Sequence, residues 1–289
     1  MKMYKLLFIA LLILFISSCT KDEPVSQNTS TAQILLNQSY GNDAAQKIDV
    51  YLPAGRNTAT TKVIIMIHGG GWTSGDKADF TAFVDTLKRR LPEYAIFNVN
   101  YRLSANPANL FPTQELDIKG AVEFIYSKAA EYNISNKYVL MGASAGAHLA
   151  MLQAYKYNTL VKAKAVVSFF GPSDLTDMYN NPVGANPLLS LGLASAVGAT
   201  PVQNPAIYTS SSPVTFISSS SAMPTILLHG GADPLVSPSQ STAVQNKLNA
   251  VGMISQYVLY PAGGHGDWDA ATYTDAFNKI QLFLETNVE

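Results

Sequence analysis

Short apolar runs recur along the chain at residues 48–52, 63–67, 95–99, 138–141, 165–169, 225–228 and 256–260, each bounded by turn residues. Segments with helical periodicity lie between most of them, at 80–91, 114–132, 145–157, 237–250 and 269–287; in the last, Tyr273, Phe277, Ile280 and Leu284 fall on one face. Predominantly apolar runs of this length are candidate strands. Their alternation with helices predicts an α/β domain built on a mostly parallel sheet covered on both faces. At 289 residues, 47% of them hydrophobic, the chain has enough apolar surface for one such core. The domain is expected over residues 33–289.

The rhythm breaks between residues 173 and 223, which carry Pro182, Pro187, Pro201, Pro205 and Pro213 and a run of serines at 218–221. This is too long for a structureless connection, and long insertions between sheet elements serve as lids or binding loops. It is therefore expected to form a short cap over the active site. The 19 basic and 20 acidic residues nearly cancel, so no broad field is available to steer the chain to nucleic acid. Charged residues are only 13% of the total, which suits a surface solvated by Ser, Thr and Asn, as in exported proteins.

Export is also expected from the N-terminus. Lys2 and Lys5 precede an apolar run at 6–16, then Ser17, Ser18 and Cys19. The run is shorter than the ~20 apolar residues a membrane span needs and has the layout of a signal peptide over residues 1–18. Cys19 is the only cysteine, so no internal disulfide can form. Ile16-Ser17-Ser18-Cys19 resembles the lipobox of bacterial lipoproteins, and Lys21-Asp22-Glu23 resembles the acidic export signal of some Bacteroidetes lipoproteins. These resemblances imply a lipid anchor at Cys19, a polar tether over residues 19–32, and a periplasmic or cell-surface location at a membrane.

Gly142-Ala143-Ser144-Ala145-Gly146 follows the apolar run at 138–141 and opens a helical pattern, the strand-turn-helix setting of a nucleophile elbow. Small residues on both sides of Ser144 permit a sharp turn. The following helix aims N–H groups, that of Ala145 first, at developing negative charge. His68-Gly69-Gly70-Gly71-Trp72 ends the run at 63–67, where three glycines let the backbone approach a substrate oxygen. With Ala145, the N–H groups of Gly70 and Gly71 are candidates for an oxyanion hole.

Position sorts the four histidines. His68 belongs to the glycine loop, His148 lies one turn beyond Ser144 on a face pointing away from it, and His229 closes an apolar strand. His265, in Gly263-Gly264-His265-Gly266 after the last strand, is the expected general base. The acid should fall between serine and histidine in chain order and sit in a rigid, shielded place. Asp233 in His229-Gly230-Gly231-Ala232-Asp233-Pro234 fits best; Asp174 and Asp267 are the competitors. The scattered histidines and carboxylates suggest no metal and no cofactor.

With these residues in place, the chain from about Gln46 to Phe283 resembles α/β-hydrolase esterases of the hormone-sensitive-lipase and carboxylesterase-like groups. The matching pieces are residues 68–75, Tyr101-Arg102-Leu103, and residues 142–149, 229–236 and 263–266. It most resembles the small bacterial esterases that remove acetyl or feruloyl groups from plant polysaccharides. In those enzymes a His-Gly-Gly-x-Trp loop helps to form the oxyanion hole, which adds Trp72 to Gly70 as a candidate for the second N–H. The resemblance implies an α/β-hydrolase fold and carboxylic ester hydrolysis through an acyl-enzyme, with a carbohydrate or small-molecule ester as substrate. A lipase, an arylformamidase-like amide hydrolase and a non-enzymatic surface binding module are the other readings. An acyl-binding site built on the long helical N-terminal cap of many hormone-sensitive-lipase relatives is not expected.

Overall fold

A computed structural model describes residues 30–157 and 160–289. The signal-peptide and Cys19 expectations, and most of the tether, lie outside the described residues. Eight strands form one sheet: β1 (Gln33–Ser39), β2 (Lys47–Leu52), β3 (Lys62–Ile67), β4 (Tyr94–Val99), β5 (Tyr138–Ala143), β6 (Ala165–Phe169), β7 (Thr225–Gly230) and β8 (Ser255–Tyr260). They lie in the order β1-β2-β4-β3-β5-β6-β7-β8. β2 pairs antiparallel with both β1 and β4, and all other pairs are parallel.

Nine α-helices accompany the sheet among the described residues: α1 (Thr81–Arg90), α2 (Thr113–Ser127), α3 (Ala129–Tyr132), α4 (Ala145–Lys156), α5 (Leu175–Asn180), α6 (Pro187–Val197), α7 (Pro205–Ser210), α8 (Ser239–Ala250) and α9 (Ala270–Asn287). The pattern predicted as one helix at 114–132 is broken at Lys128 into α2 and α3.

The strand periodicity divides the core. Val63, Ile65 and Ile67 of β3 pack with Ile118 of α2, Leu149 of α4 and Val244 of α8 on one face of the sheet. Ile64 and Met66 face the other way, onto Val84 of α1 and Phe277 and Ile280 of α9. Every residue of β4, β5, β6 and β7 is buried, which is why these strands appear in the sequence as predominantly apolar runs.

β1 is the strand that no apolar run announces. It is an edge strand with Ile34 and Leu36 exposed, and a bulge between Leu35 and Gln38 interrupts its alternation. Asn37 takes φ 54° there, and its N–H donates to Asp49 Oδ1 at 2.7 Å. The 173–223 segment is mostly short helices. Pro187, Pro205 and Pro213 each begin a helical turn, where the missing N–H costs nothing. Prolines that interrupt the apolar rhythm thus act as helix starts.

Candidate active site

The elbow is a steric arrangement before it is a chemical one. β5 ends at Ala143 and α4 begins at Ala145, so Ser144 must reverse the chain by itself, at φ 54° and ψ −123°. Its N–H donates to Phe169 O of β6 at 2.8 Å, and its carbonyl accepts from His148 N–H at 3.0 Å. A Cβ at Gly142 would come within 2.3 Å of the Gly146 backbone, and one at Gly146 within 2.0 Å of Ile67 O. Glycine at both positions lets α4 pack directly on the carboxyl end of β3, holding the serine in a conformation few side chains adopt.

Parallel topology brings the remaining groups to this end of the sheet. Ser144 Oγ lies 2.8 Å from His265 Nε2, and His265 Nδ1 lies 2.7 Å from Asp233 Oδ2. With the carboxylate accepting from Nδ1–H, Nε2 is left to accept the serine proton. Asp233 is 3% exposed. Its other oxygen accepts the N–H groups of Leu235 and Val236 at 2.8 and 2.9 Å. Burial alone would raise this carboxyl. Hydrogen bonding from His229 and His265 and the Val236 N–H outweigh it, holding the group well below the usual carboxylate range.

His229 is fully buried, bonded to Ser241 Oγ and Val236 O, with Nε2 3.4 Å from Asp233 Oδ2. The histidine loop closes against β7, where a Cβ at Gly230 would meet the Gly263 and Gly264 carbonyls at 2.3 Å. Asp174 is elsewhere, capping α5 through Asp177 N–H, and Asp267 has no hydrogen bond to His265 among the described residues.

The glycine loop arches beside the serine with positive φ at Gly70 (110°), Gly71 (58°) and Trp72 (64°). Gly70 O accepts from Thr73 N–H, Ser74 N–H and Ser74 Oγ. The peptide plane it shares with Gly71 N–H is thereby held, with that N–H turned the opposite way. The N–H groups of Gly70, Gly71, Trp72 and Ala145 donate to no protein acceptor among the described residues. His68 stacks on Tyr101 at 4.4 Å, and Tyr101 Oη donates to His68 O, so this histidine braces the loop. Arg102, next in the chain, pairs with buried Asp117 of α2.

A cavity of about 680 Å³ opens over Ser144 and His265. The glycine loop forms one wall; Met178, Leu188, Leu189 and Leu193 of the 173–223 segment form another, with Phe170, Leu235 and Val236 between. Asp79 is the only carboxylate lining it among the described residues. No motif announced Phe170, whose ring sits 4.6 Å from the His265 imidazole, and Val236 lay in the matching piece 229–236 without a role assigned to it. Their signal was positional, since both follow the carboxyl ends of parallel strands. Among the described residues, no group of three or more His, Cys, Asp or Glu could hold a metal, and no helix is long and apolar enough to cross a membrane.

A mostly parallel eight-stranded sheet with a serine elbow between β5 and α4 defines the α/β-hydrolase fold. Residues 48–248 match the BD-FAE profile, and the chain belongs to that family. Esterase LipQ of Mycobacterium tuberculosis is 30% identical over 224 residues, covering 73% of this chain and 51% of LipQ. Esterase LipC of the same organism is 25% identical over 85% of this chain and 63% of LipC. The chain thus spans about half to two-thirds of these relatives. Among solved structures, a truncated carbohydrate esterase from gut microbiota is 25% identical with a TM-score of 0.70, covering 91% of this chain and 99% of that one. A bifunctional GH43-CE protein of Bacteroides eggerthii is 26% identical with a TM-score of 0.72, over 86% of this chain and 38% of that one.

Proposed function

We propose that the protein is a serine hydrolase that cleaves carboxylic esters through an acyl-enzyme. The observation that carries this reading is the hydrogen-bonded chain Ser144–His265–Asp233 at the floor of the cavity. Ser144 Oγ attacks the ester carbonyl carbon as its proton passes to His265 Nε2. Asp233 holds the imidazole orientation and stabilises the imidazolium. The tetrahedral oxyanion is received by Ala145 N–H and by an N–H of the glycine loop, from Gly70, Gly71 or Trp72. His265 returns the proton to the departing alkoxide, then takes one from a water whose oxygen attacks the acyl-enzyme carbonyl carbon, and passes it to Ser144 Oγ as the serine–acyl bond breaks and the acid leaves.

For the substrate, a small acyl group carried on carbohydrate is the reading favoured here, acetyl first and feruloyl second. The structurally similar carbohydrate esterases support it. Relative rates on acetyl, butyryl and octanoyl aryl esters are expected to fall in that order, with acetate released from acetylated xylan oligosaccharides. The apolar wall from α6 makes the experiment decisive: an octanoyl optimum or activation at an oil–water interface would instead mark a lipase. Faster cleavage of an arylformamide than of any ester would mark an amide hydrolase.

The same reading places the enzyme at a membrane surface through a lipid on Cys19, on the strength of the lipobox-like sequence at residues 16–19. Stable anchoring takes more than one acyl chain, which lipoprotein processing supplies. Wild type is expected in the detergent phase on Triton X-114 partitioning and Cys19→Ala in the aqueous phase. Equal partitioning of both would exclude the anchor.

A further inference from the structure

Trp72 is the one loop residue with a large side chain at positive φ, and it is held from two directions. Its indole N–H donates to His148 Nδ1 at 3.2 Å inside the core. With Nδ1 accepting, the proton of a neutral imidazole resides on Nε2, which donates to Ser211 O at 2.7 Å. His148 is fully buried, and that burial pushes its pKa down to about 4; the Ser211 carbonyl opposes the shift and Lys156 adds to it. The ring is therefore neutral near pH 7, as both bonds require.

The backbone carbonyl of Trp72 accepts Ser104 N–H at 2.8 Å, and Ser104 Oγ donates to Ala196 O of α6 at 3.0 Å. Ser211 and Ala196 both belong to the 173–223 segment, at the C-terminal ends of α7 and α6. Phe111 packs edge-on against both Trp72 and His148, closing the cluster to water.

We propose that His148 and Ser104 are positioning residues that tie the glycine loop, through Trp72, to the 173–223 segment, so that the placement of that segment sets the aim of the loop's N–H donors. This rests on the acyl-transfer reading above. The physical reason is that three consecutive left-handed residues form a loop with little preference of its own. A peptide N–H must be aimed within tenths of an ångström to stabilise an oxyanion, and small misplacements cost rate rather than ground-state affinity. Neither residue touches the reacting atoms.

His148→Phe keeps the ring and removes both hydrogen bonds. Its kcat on an aryl acetate is expected to fall about 10- to 100-fold, with KM changed less than about threefold. His148→Gln, whose amide can accept from Trp72 and donate to Ser211, should recover most of the loss. In a Trp72→Phe background, adding His148→Phe should have little further effect, since the donor is already gone. Hydrogen exchange of the 69–75 amides, read by mass spectrometry, should accelerate in His148→Phe and, more weakly, in Ser104→Ala.

A folded His148→Phe with unchanged exchange in that peptide and unchanged kcat overturns the proposal, as does a rise in KM alone. If His148→Phe does not fold, Trp72→Phe carries the same exchange and kcat tests. The exchange readout needs no substrate, so failure of the ester mechanism would show separately, as absent turnover by wild type.

Discussion

Ser144→Ala should lower turnover of a short-chain aryl ester by about 10⁴- to 10⁶-fold while the circular dichroism and melting profile stay those of wild type. The hydroxyl is the attacking atom in the proposed mechanism, and alanine fits the elbow without adding bulk to it. His265→Ala should be nearly as damaging, and the double variant no worse than either, because serine without its base is not a nucleophile. Asp233→Asn should keep the geometry but lose the carboxylate that fixes the imidazole tautomer, at a cost of about 10³- to 10⁴-fold. Asp174→Asn and Asp267→Asn should stay within a few-fold of wild type, since neither is bonded to His265. Residual Ser144→Ala activity within tenfold of wild type, after purification from a host lacking background esterase, would remove the acyl-enzyme mechanism. An Asp267→Asn defect exceeding that of Asp233→Asn would reassign the acid.

The second large effect is structural. Gly146→Ala places a methyl group 2.0 Å from Ile67 O and 2.4 Å from His68 O, both backbone atoms that no side-chain rotation can clear. Helix α4 must then lift from β3, and because α4 is buried from Ala145 to Tyr155, the shift propagates through the core. Overpacking of a core usually costs about 1–3 kcal/mol, and contact with backbone places this site at or above the upper end. Against a typical total of about 5–15 kcal/mol, that is enough to lower the urea midpoint sharply or leave the chain insoluble. Gly120→Ala in the middle of α2 is the matched control. Nothing lies within 4 Å of its Cβ position, and removing a mid-helix glycine should raise stability by up to about 1 kcal/mol. Urea titrations of the two variants decide the matter. Equal midpoints would mean that close approach at the elbow is not what requires glycine there.

The sheet was legible in the sequence wherever burial is two-sided, because a strand covered on both faces is apolar at most positions, as β3 to β7 are, with Asn98, Ser168, Thr225 and His229 the buried polar residues among them. β1 was not legible: its edge position leaves Ile34 and Leu36 in solvent, and its bulge at Asn37 breaks the period on which any strand pattern depends. Glycine spacing around Ser144 and in the 69–71 loop could be read as chemistry because it encodes close backbone approach, a local property. The choice of His265 and Asp233 likewise followed from chain order relative to strand ends. By contrast, only the tertiary structure could place Phe170 against His265, seat Met178 and three leucines of the 173–223 segment over Ser144, or put His148 between Trp72 and Ser211. Each of those contacts joins residues far apart in the chain through an orientation that depends on how whole elements pack. A sequence records which side chains are available and what turns the backbone can make; which of them meet is settled by the packing of helices on the sheet.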